Sequence, residues 1–172
     1  MSELQFQGND FPSMAPSPSE EKERFLSFPI NNNLQGLVPL EALQGVVQVN
    51  LSQILPIPET PSALLGILSW RGDAIWTVDL PQLLGETHSL TDNRDITYCF
   101  SAITSLQGKS LGLLVKNFTS VVSYSREEEL QPIRSGMVSS EIAYYLQGYF
   151  LSEDQKTPHF LLNLDVIFEI LN

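Results

Sequence analysis

Cations, cysteine and histidine are scarce in this chain, and the scarcity narrows its chemistry before any motif is read. Nine Lys and Arg stand against 20 Asp and Glu in 172 residues, a formal net charge of −11. A surface of that sign repels phosphate backbones and anionic lipid, which argues against nucleic acid and against membrane surfaces as partners. The single cysteine, Cys99, precludes an internal disulfide and fits a reducing compartment. The two histidines, His88 and His159, lie far apart, and neither has ligand spacing to Cys99, so no metal and no cofactor are expected. No apolar run approaches the ~20 residues that cross a bilayer. The opening MSELQFQGND carries two acids and no basic stretch leading into an apolar core, so it does not read as a signal peptide. A cytoplasmic location is the expectation.

Catalytic patterns are missing as well. There is no Gly-rich phosphate loop, and no Ser sits in a nucleophile elbow. Asp73 and Asp79 share a strand face but would stand about 20 Å apart if extended, too far for a paired acid and base. Cys99 falls on the outward parity of its strand and has no cue for a lowered pKa, so an inert thiol is expected. The expectation is a protein without catalytic residues.

What is present is a strand-rich body behind a polar tail. Residues 1–24, with FPSMAPSPSEEKER, mix Pro, Ser and charge and are too poor in apolar residues to offset the entropy of ordering. From Phe25 onward short apolar runs alternate with Gly, Pro and Asn. In WRGDAIWTVDL the apolar Trp70, Ala74, Trp76, Val78 and Leu80 share one parity. In ITYCFSA, Ile96, Tyr98, Phe100 and Ala102 do the same, and in FLLNLDVIF so do Phe160, Leu162, Leu164, Val166 and Phe168. Such alternation marks strands with one buried face. LGLLVKNFTSVVSY adds a strand, a break near Asn117 and a second strand. Helical signals are short. Thr60 caps TPSALLG, with Pro61 in the first helical position and Gly66 as the stop. Asp79 caps DLPQLLG, Ser125 opens a capping box in SREEEL, and SSEIAYYLQG and LDVIFEIL read as brief helices. IWTVDLPQLL and HFLLNLDVIF echo each other, each a strand running into a short helix. The fold class is all-β with a few short helices.

One residue stands out against this background. Arg71 is the only Lys or Arg between Phe25 and Asn93. It sits beside Trp70 and before Gly72 in what is otherwise a strand. Aromatic residues and Arg are the usual anchors of protein interfaces. The alternatives are an internal ion pair with Asp73, Glu59 or Glu41, or a polar group on another protein.

The surrounding stretch, LPIPETPSALLGILSWRGDAIWTVDLPQLLG, resembles the signature of CheW-like coupling proteins of bacterial chemotaxis. In order it has a Pro-containing loop (Pro56 to Pro61), Ala63 to Leu65, Gly66, Ile67, the Arg71-Gly72 step and Val78-Asp79-Leu80. LGLLVKNFTSVVSY, YLQGYF and FLLNLDVIFEIL are similar to later family segments, so the resemblance spans about Phe25 to Asn172. It implies a single domain over 25–172 made of two packed five-stranded β-barrels, the first about 25–90 and the second about 91–172, with end strands able to cross; the division is placed near Leu90. It implies a non-enzymatic adaptor that joins the cytoplasmic tips of methyl-accepting chemoreceptors to a CheA-type histidine kinase, with CheW-like ring assembly and recruitment to membrane-associated arrays but no insertion into the membrane. By the resemblance, the binding residues are Arg71, Gly72, Gly66, Trp70, Val47 and Gln48. Gln48, in VVQV, stands where family members often carry a glutamate, and Lys116 replaces the acid of the Gly-Leu-Leu-Val-Asp segment. These two changes point toward a paralogous pathway, such as type IV pilus motility. The alternatives are a small-ligand-binding barrel and a CheW-like decoy that blocks array assembly.

Overall fold

The computed structural model describes residues 21–85, 90 and 95–172; the tail up to residue 20 and His88 lie outside them. Among the described residues ten strands form two five-stranded sheets. The first is ordered β8-β1-β2-β10-β9 and comprises β1 (Glu23–Pro29), β2 (Gln35–Pro39), β8 (Ser120–Tyr124), β9 (Leu146–Leu151) and β10 (Pro158–Leu162). The second is ordered β3-β6-β7-β5-β4, from β3 (Leu43–Asn50), β4 (Leu64–Trp70), β5 (Asp73–Asp79), β6 (Tyr98–Leu106) and β7 (Lys109–Val115).

The sheets are not successive halves of the chain. β6 and β7 lie beyond residue 90 yet belong with β3, β4 and β5, and β1 and β2 join strands from the far end. The expected division near Leu90 therefore gives way to an interleaved arrangement. Four pairings across residue 90 bring it about, β2 with β10 and β5 with β7 in parallel, β1 with β8 and β3 with β6 antiparallel. Each links segments distant in sequence, and such pairings leave no local mark.

Each sheet curls until its two end strands meet through side chains. In the first, Tyr124 of β8 stacks on Phe150 of β9 with centroids 4.5 Å apart and planes 1° from parallel. In the second, the Trp70 ring of β4 lies against Gly45 of β3, where an added Cβ would stand 3.1 Å from Cζ2. The concave interiors are filled. Phe25, Leu37, Tyr124, Phe150 and Leu161 pack the first, and Val49, Ile54, Leu68, Ile75, Cys99, Ile103 and Leu114 belong to the cluster that packs the second. The largest apolar cluster draws on both sheets and the helices, joining Phe28, Val38, Tyr149 and Phe160 to Val78, Ala102, Leu111 and Leu113. Strands β6 and β7 are thus covered on both faces, which hides the period-two pattern.

This double burial corrects the reading of Cys99. It faces the second sheet's interior, fully buried, and Phe100 faces the central core. Burial, reinforced by the charge of Asp79, pushes its thiol up to about 11.

The helices are single turns set by their caps. The carboxylate of Asp79 accepts from Gln82 N ahead of α1 (Leu80–Leu83), and Gly85 follows at φ 87°. Its other oxygen accepts from Leu90 N at 2.9 Å, so this buried side chain ties down two segments. Ser125 caps α2 (Arg126–Glu129) by accepting from Glu128 N, while Glu129 Oε2, one residue later than the expected partner, accepts from Ser125 N. Ser139 caps α3 (Ser140–Ala143), and Asn163 caps α4 (Leu164–Phe168).

Thr60 does not cap a helix. Its hydroxyl donates to the carbonyls of Ile57 (3.0 Å) and Leu64 (3.3 Å), and the chain turns straight into β4. One helical turn is marginal without tertiary help, and pairing of Leu64 with Val78 draws this stretch into the sheet.

Candidate functional site

Arg71 and Gly72 are the two central residues of the β4–β5 hairpin. Trp70 pairs with Asp73, and the φ angles are 51° at Arg71 and 84° at Gly72. Positive φ at both positions is the type I′ turn, whose twist matches that of the flanking strands. Gly72 meets this demand without strain. Arg71 does not, because an L side chain in the left-handed region carries a cost of roughly 1–2 kcal/mol. Glu59, Gln107 and Gln155 also sit at positive φ, so what distinguishes Arg71 is its side chain and not its backbone.

That side chain lies over its neighbour. The guanidinium carbon of Arg71 is 4.5 Å from the Trp70 ring centroid, a cation–π contact. Trp70 is half-buried, packed on the interior of the second sheet together with Val47 and Leu65. Arg71 itself is exposed. Among the described residues no ion pair joins it to Asp73, Glu59 or Glu41; the salt bridge present is the two-pronged Arg126–Glu23 contact, at 2.9 and 3.0 Å. The turn thus presents an exposed planar cation stacked on a half-buried indole.

Gly66 has a different place from the one its position before Ile67 suggested. It lies within β4 at a register shift, with φ 142°. A Cβ there would stand 2.1 Å from the carbonyl oxygen of Leu55. Only glycine lets the Pro-containing loop lie on the strand, where Leu55 and Ile67 exchange backbone hydrogen bonds of 2.8 and 2.9 Å. Gly66 thus positions the loop next to the hairpin and touches no helix.

Val47 and Gln48 lie on opposite faces of β3, a strand at the end of the second sheet. Val47 points toward the interior with Trp70. Gln48 is exposed and pairs across the ladder with Phe100, while Asn50 pairs with Tyr98. Val46 and Tyr98 are 45% and 50% exposed, a sizeable apolar exposure for an edge of an acidic protein. Tyr98 and Phe100 continue into a groove of about 580 Å³ between the sheets, bounded by Pro29 and Asn32 on one side and Lys116 and Asn117 on the other.

The six residues named from the sequence are therefore divided. Trp70, Arg71 and Gly72 form one cluster, which Val47 supports from below. Gln48 is exposed on β3 opposite Phe100, which lines the inter-sheet groove, and Gly66 is a backbone device. Alternation assigned Tyr98 and Phe100 to a core; Phe100 does pack on the central core while also lining the groove, but Tyr98 is 50% exposed. The available signal was the position of Tyr98 at the start of its strand, where cover from neighbouring strands runs out.

Chemically these surfaces offer contact. Cys99 is buried with a raised pKa. His159 is half-buried on β10, with burial lowering its pKa despite the opposing charge of Asp154, and its Nδ1 lies 3.0 Å from the Tyr124 hydroxyl. Among the described residues no group of three or more His, Cys, Asp or Glu is placed to hold a metal, and no helix is long and apolar enough to cross a membrane.

Two curled, side-chain-filled sheets carry an exposed turn and an inter-sheet groove on their surface. A family model described as a CheW-like domain matches residues 24–171. The chain belongs to the CheW-like family. The crystal structure of the scaffolding protein TtCheW from Thermoanaerobacter tengcongensis is similar at a TM-score of 0.67, with 18% identity over 83% of this chain and 90% of that one. At that identity the likeness speaks for the fold. No curated protein matches the chain.

Proposed function

We propose that this protein is a non-enzymatic adaptor that couples chemoreceptor tips to a CheA-type histidine kinase, in chemotaxis or in a paralogous pathway such as pilus motility. The observation that carries the reading is the family match together with the Arg71 turn, where the family-like Arg-Gly step holds an exposed guanidinium on Trp70. Gln107 holds the same φ in the β6–β7 turn, so what sets Arg71 apart is an exposed cation stacked on an indole, the residue types usual at interface anchors. The filled interiors of both sheets favour a scaffold over a small-ligand barrel, which needs an apolar cavity. Arg71 and Trp70 act as one anchor, and Gln48 with Tyr98 and Phe100 as a second, polar-rimmed apolar surface. Recruitment to membrane-associated arrays, and to rings built with other CheW-like domains, follows from that role.

The test is a pull-down from the native lysate with tagged protein and an Arg71→Ala control, read by mass spectrometry. The expected result is recovery of a chemoreceptor and a CheA-type kinase, with the receptor depleted in the control. Recovery of neither by a folded bait, from cells that express both, overturns the reading. A decoy would bind the same partners but lower kinase activity when added to a reconstituted receptor–kinase mixture, and an adaptor would raise it.

A further inference from the structure

A third surface, which shares no residue with the Arg71 turn or the inter-sheet groove, lies where the short helices meet. Tyr144 and Tyr145 follow α3, with rings 5.1 Å apart and 82° from parallel. Tyr144 is 59% exposed, unusual for a large aromatic side chain. Its hydroxyl donates to Glu169 Oε1 at 3.2 Å, which fixes the ring and the carboxylate side by side. Both tyrosines open onto a groove of about 350 Å³, whose apolar walls are Pro61, Leu83, Val166 and Ile170. Pro61 comes from the loop before β4, Leu83 from α1, and Val166 and Ile170 from the C-terminal helical segment. Segments far apart in sequence thus build one concave, aromatic-lined surface.

The charge on this surface has one sign. Glu169 lines the groove, and none of its lining residues is Lys, Arg or His. Asp165 and Glu141, on α4 and α3, are both exposed. Glu141 projects toward the end of α1, where its carboxylate lies against Gly85.

We propose that this groove docks a basic segment of a partner protein. An Arg or Lys side chain of the segment lies on the Tyr144 ring and pairs with Glu169, and an adjacent aliphatic side chain enters between Leu83 and Ile170. The chemistry follows from the geometry. An exposed aromatic face attracts a cation, and a carboxylate at its rim adds a charge-assisted hydrogen bond. The apolar walls beyond reward a chain long enough to reach them, which a small cation is not. A second copy of this chain is a poor occupant, since its net charge of −11 opposes docking on an acidic rim.

Binding would be measured on the full chain by fluorescence anisotropy, with two labelled short peptides that share their leucines and carry arginine in one and glutamate in the other. The Arg peptide is expected to bind with an affinity that falls as salt rises, and the Glu peptide not to bind. Tyr144→Ala and Glu169→Gln should each weaken the Arg peptide about tenfold. Glu128→Gln, which removes an exposed acid on α2, should leave its affinity unchanged. Backbone amide shifts on titration should centre on Tyr144, Leu83 and Ile170. Absence of binding, equal losses in Glu128→Gln and Glu169→Gln, shifts centred elsewhere, or free arginine binding as tightly as the peptide would each overturn the proposal. Both side chains that are replaced are exposed, and a melting curve for each variant confirms folding; Glu169→Gln carries the test alone should Tyr144→Ala unfold.

Discussion

Two hairpins of the second sheet turn through almost the same backbone and yet carry different side chains. The β4–β5 turn has Arg71 and Gly72 at φ 51° and 84°; the β6–β7 turn has Gln107 and Gly108 at 51° and 79°. The closing pairs are Trp70 with Asp73 and Leu106 with Lys109. At both glycines an added Cβ would meet nothing within 4 Å. The backbone demand is thus matched, and Gln107 shows that an uncharged residue satisfies it. What separates the turns lies outside the backbone: an indole beneath a guanidinium in one, a leucine beside an amide in the other. The Gln107 turn is an internal control for every claim about Arg71.

The largest difference between the hairpins should appear on truncating the residue that leads into each turn. Trp70→Ala removes a half-buried indole that packs on Gly45 and the interior of the second sheet, and should cost about 2–3 kcal/mol, below the range for a fully buried Trp. Leu106→Ala removes a smaller, partly buried side chain and should cost about 1 kcal/mol. Urea unfolding of the two variants checks the order. Equal costs would mean that the indole is held for contact with a partner more than for stability, which sharpens the functional reading of Trp70.

A smaller and matched effect is expected at the glycines. Gly72→Ala and Gly108→Ala should each cost about 1 kcal/mol, because a Cβ in the left-handed region is penalised where space is ample. Unfolding midpoints of the pair should agree closely. A much larger loss at Gly72 would break the comparison and mean that the Arg71 turn bears strain that the Gln107 turn does not.

The comparison also marks what the sequence makes legible. Local devices can be read directly: the Arg71-Gly72 step, Asp79 before Pro81, and Ser125 before the acidic run all act within a few residues. Gly66 was legible as a special position but for the wrong reason, since what crowds it is the Leu55 carbonyl, brought in by a loop and not by a helix. Thr60 carries a helix signal that pairing of Leu64 with Val78 overrides. The alternation in ITYCFSA identified a strand, but β6 is buried on both faces and Cys99 is as enclosed as Ala102. The division near Leu90 gives way because β1 with β8, β2 with β10, β3 with β6 and β5 with β7 all pair across it, between segments far apart in sequence. The candidate site was readable at the turn and less so at the groove, where Tyr98 becomes exposed only because the sheet ends beside it.

The smallest effect on stability, and the most telling one, belongs to the first residues of the two turns. Arg71→Ala and Gln107→Ala should each shift stability by a few tenths of a kcal/mol, roughly the scale of exposed substitutions; loss of the cation–π contact adds about 0.5–1 kcal/mol to the former. Replacing Gln107 by glycine should stabilise its turn by up to about 1 kcal/mol, since the left-handed penalty disappears; with Arg71→Gly the lost cation–π contact, about 0.5–1 kcal/mol, offsets most of that gain. Thermal melts can follow all four variants. Partner binding should respond quite differently: lost or much reduced with Arg71→Ala and Arg71→Gly, and untouched with the Gln107 pair. A protein no less stable with Arg71→Gly than with arginine, yet less able to bind its partner, would be direct evidence that the side chain is kept at this turn for contact and not for stability. If binding survives both Arg71 variants, the stacked guanidinium serves only to cover Trp70, and the adaptor's anchor has to be sought at Gln48, Tyr98 and Phe100.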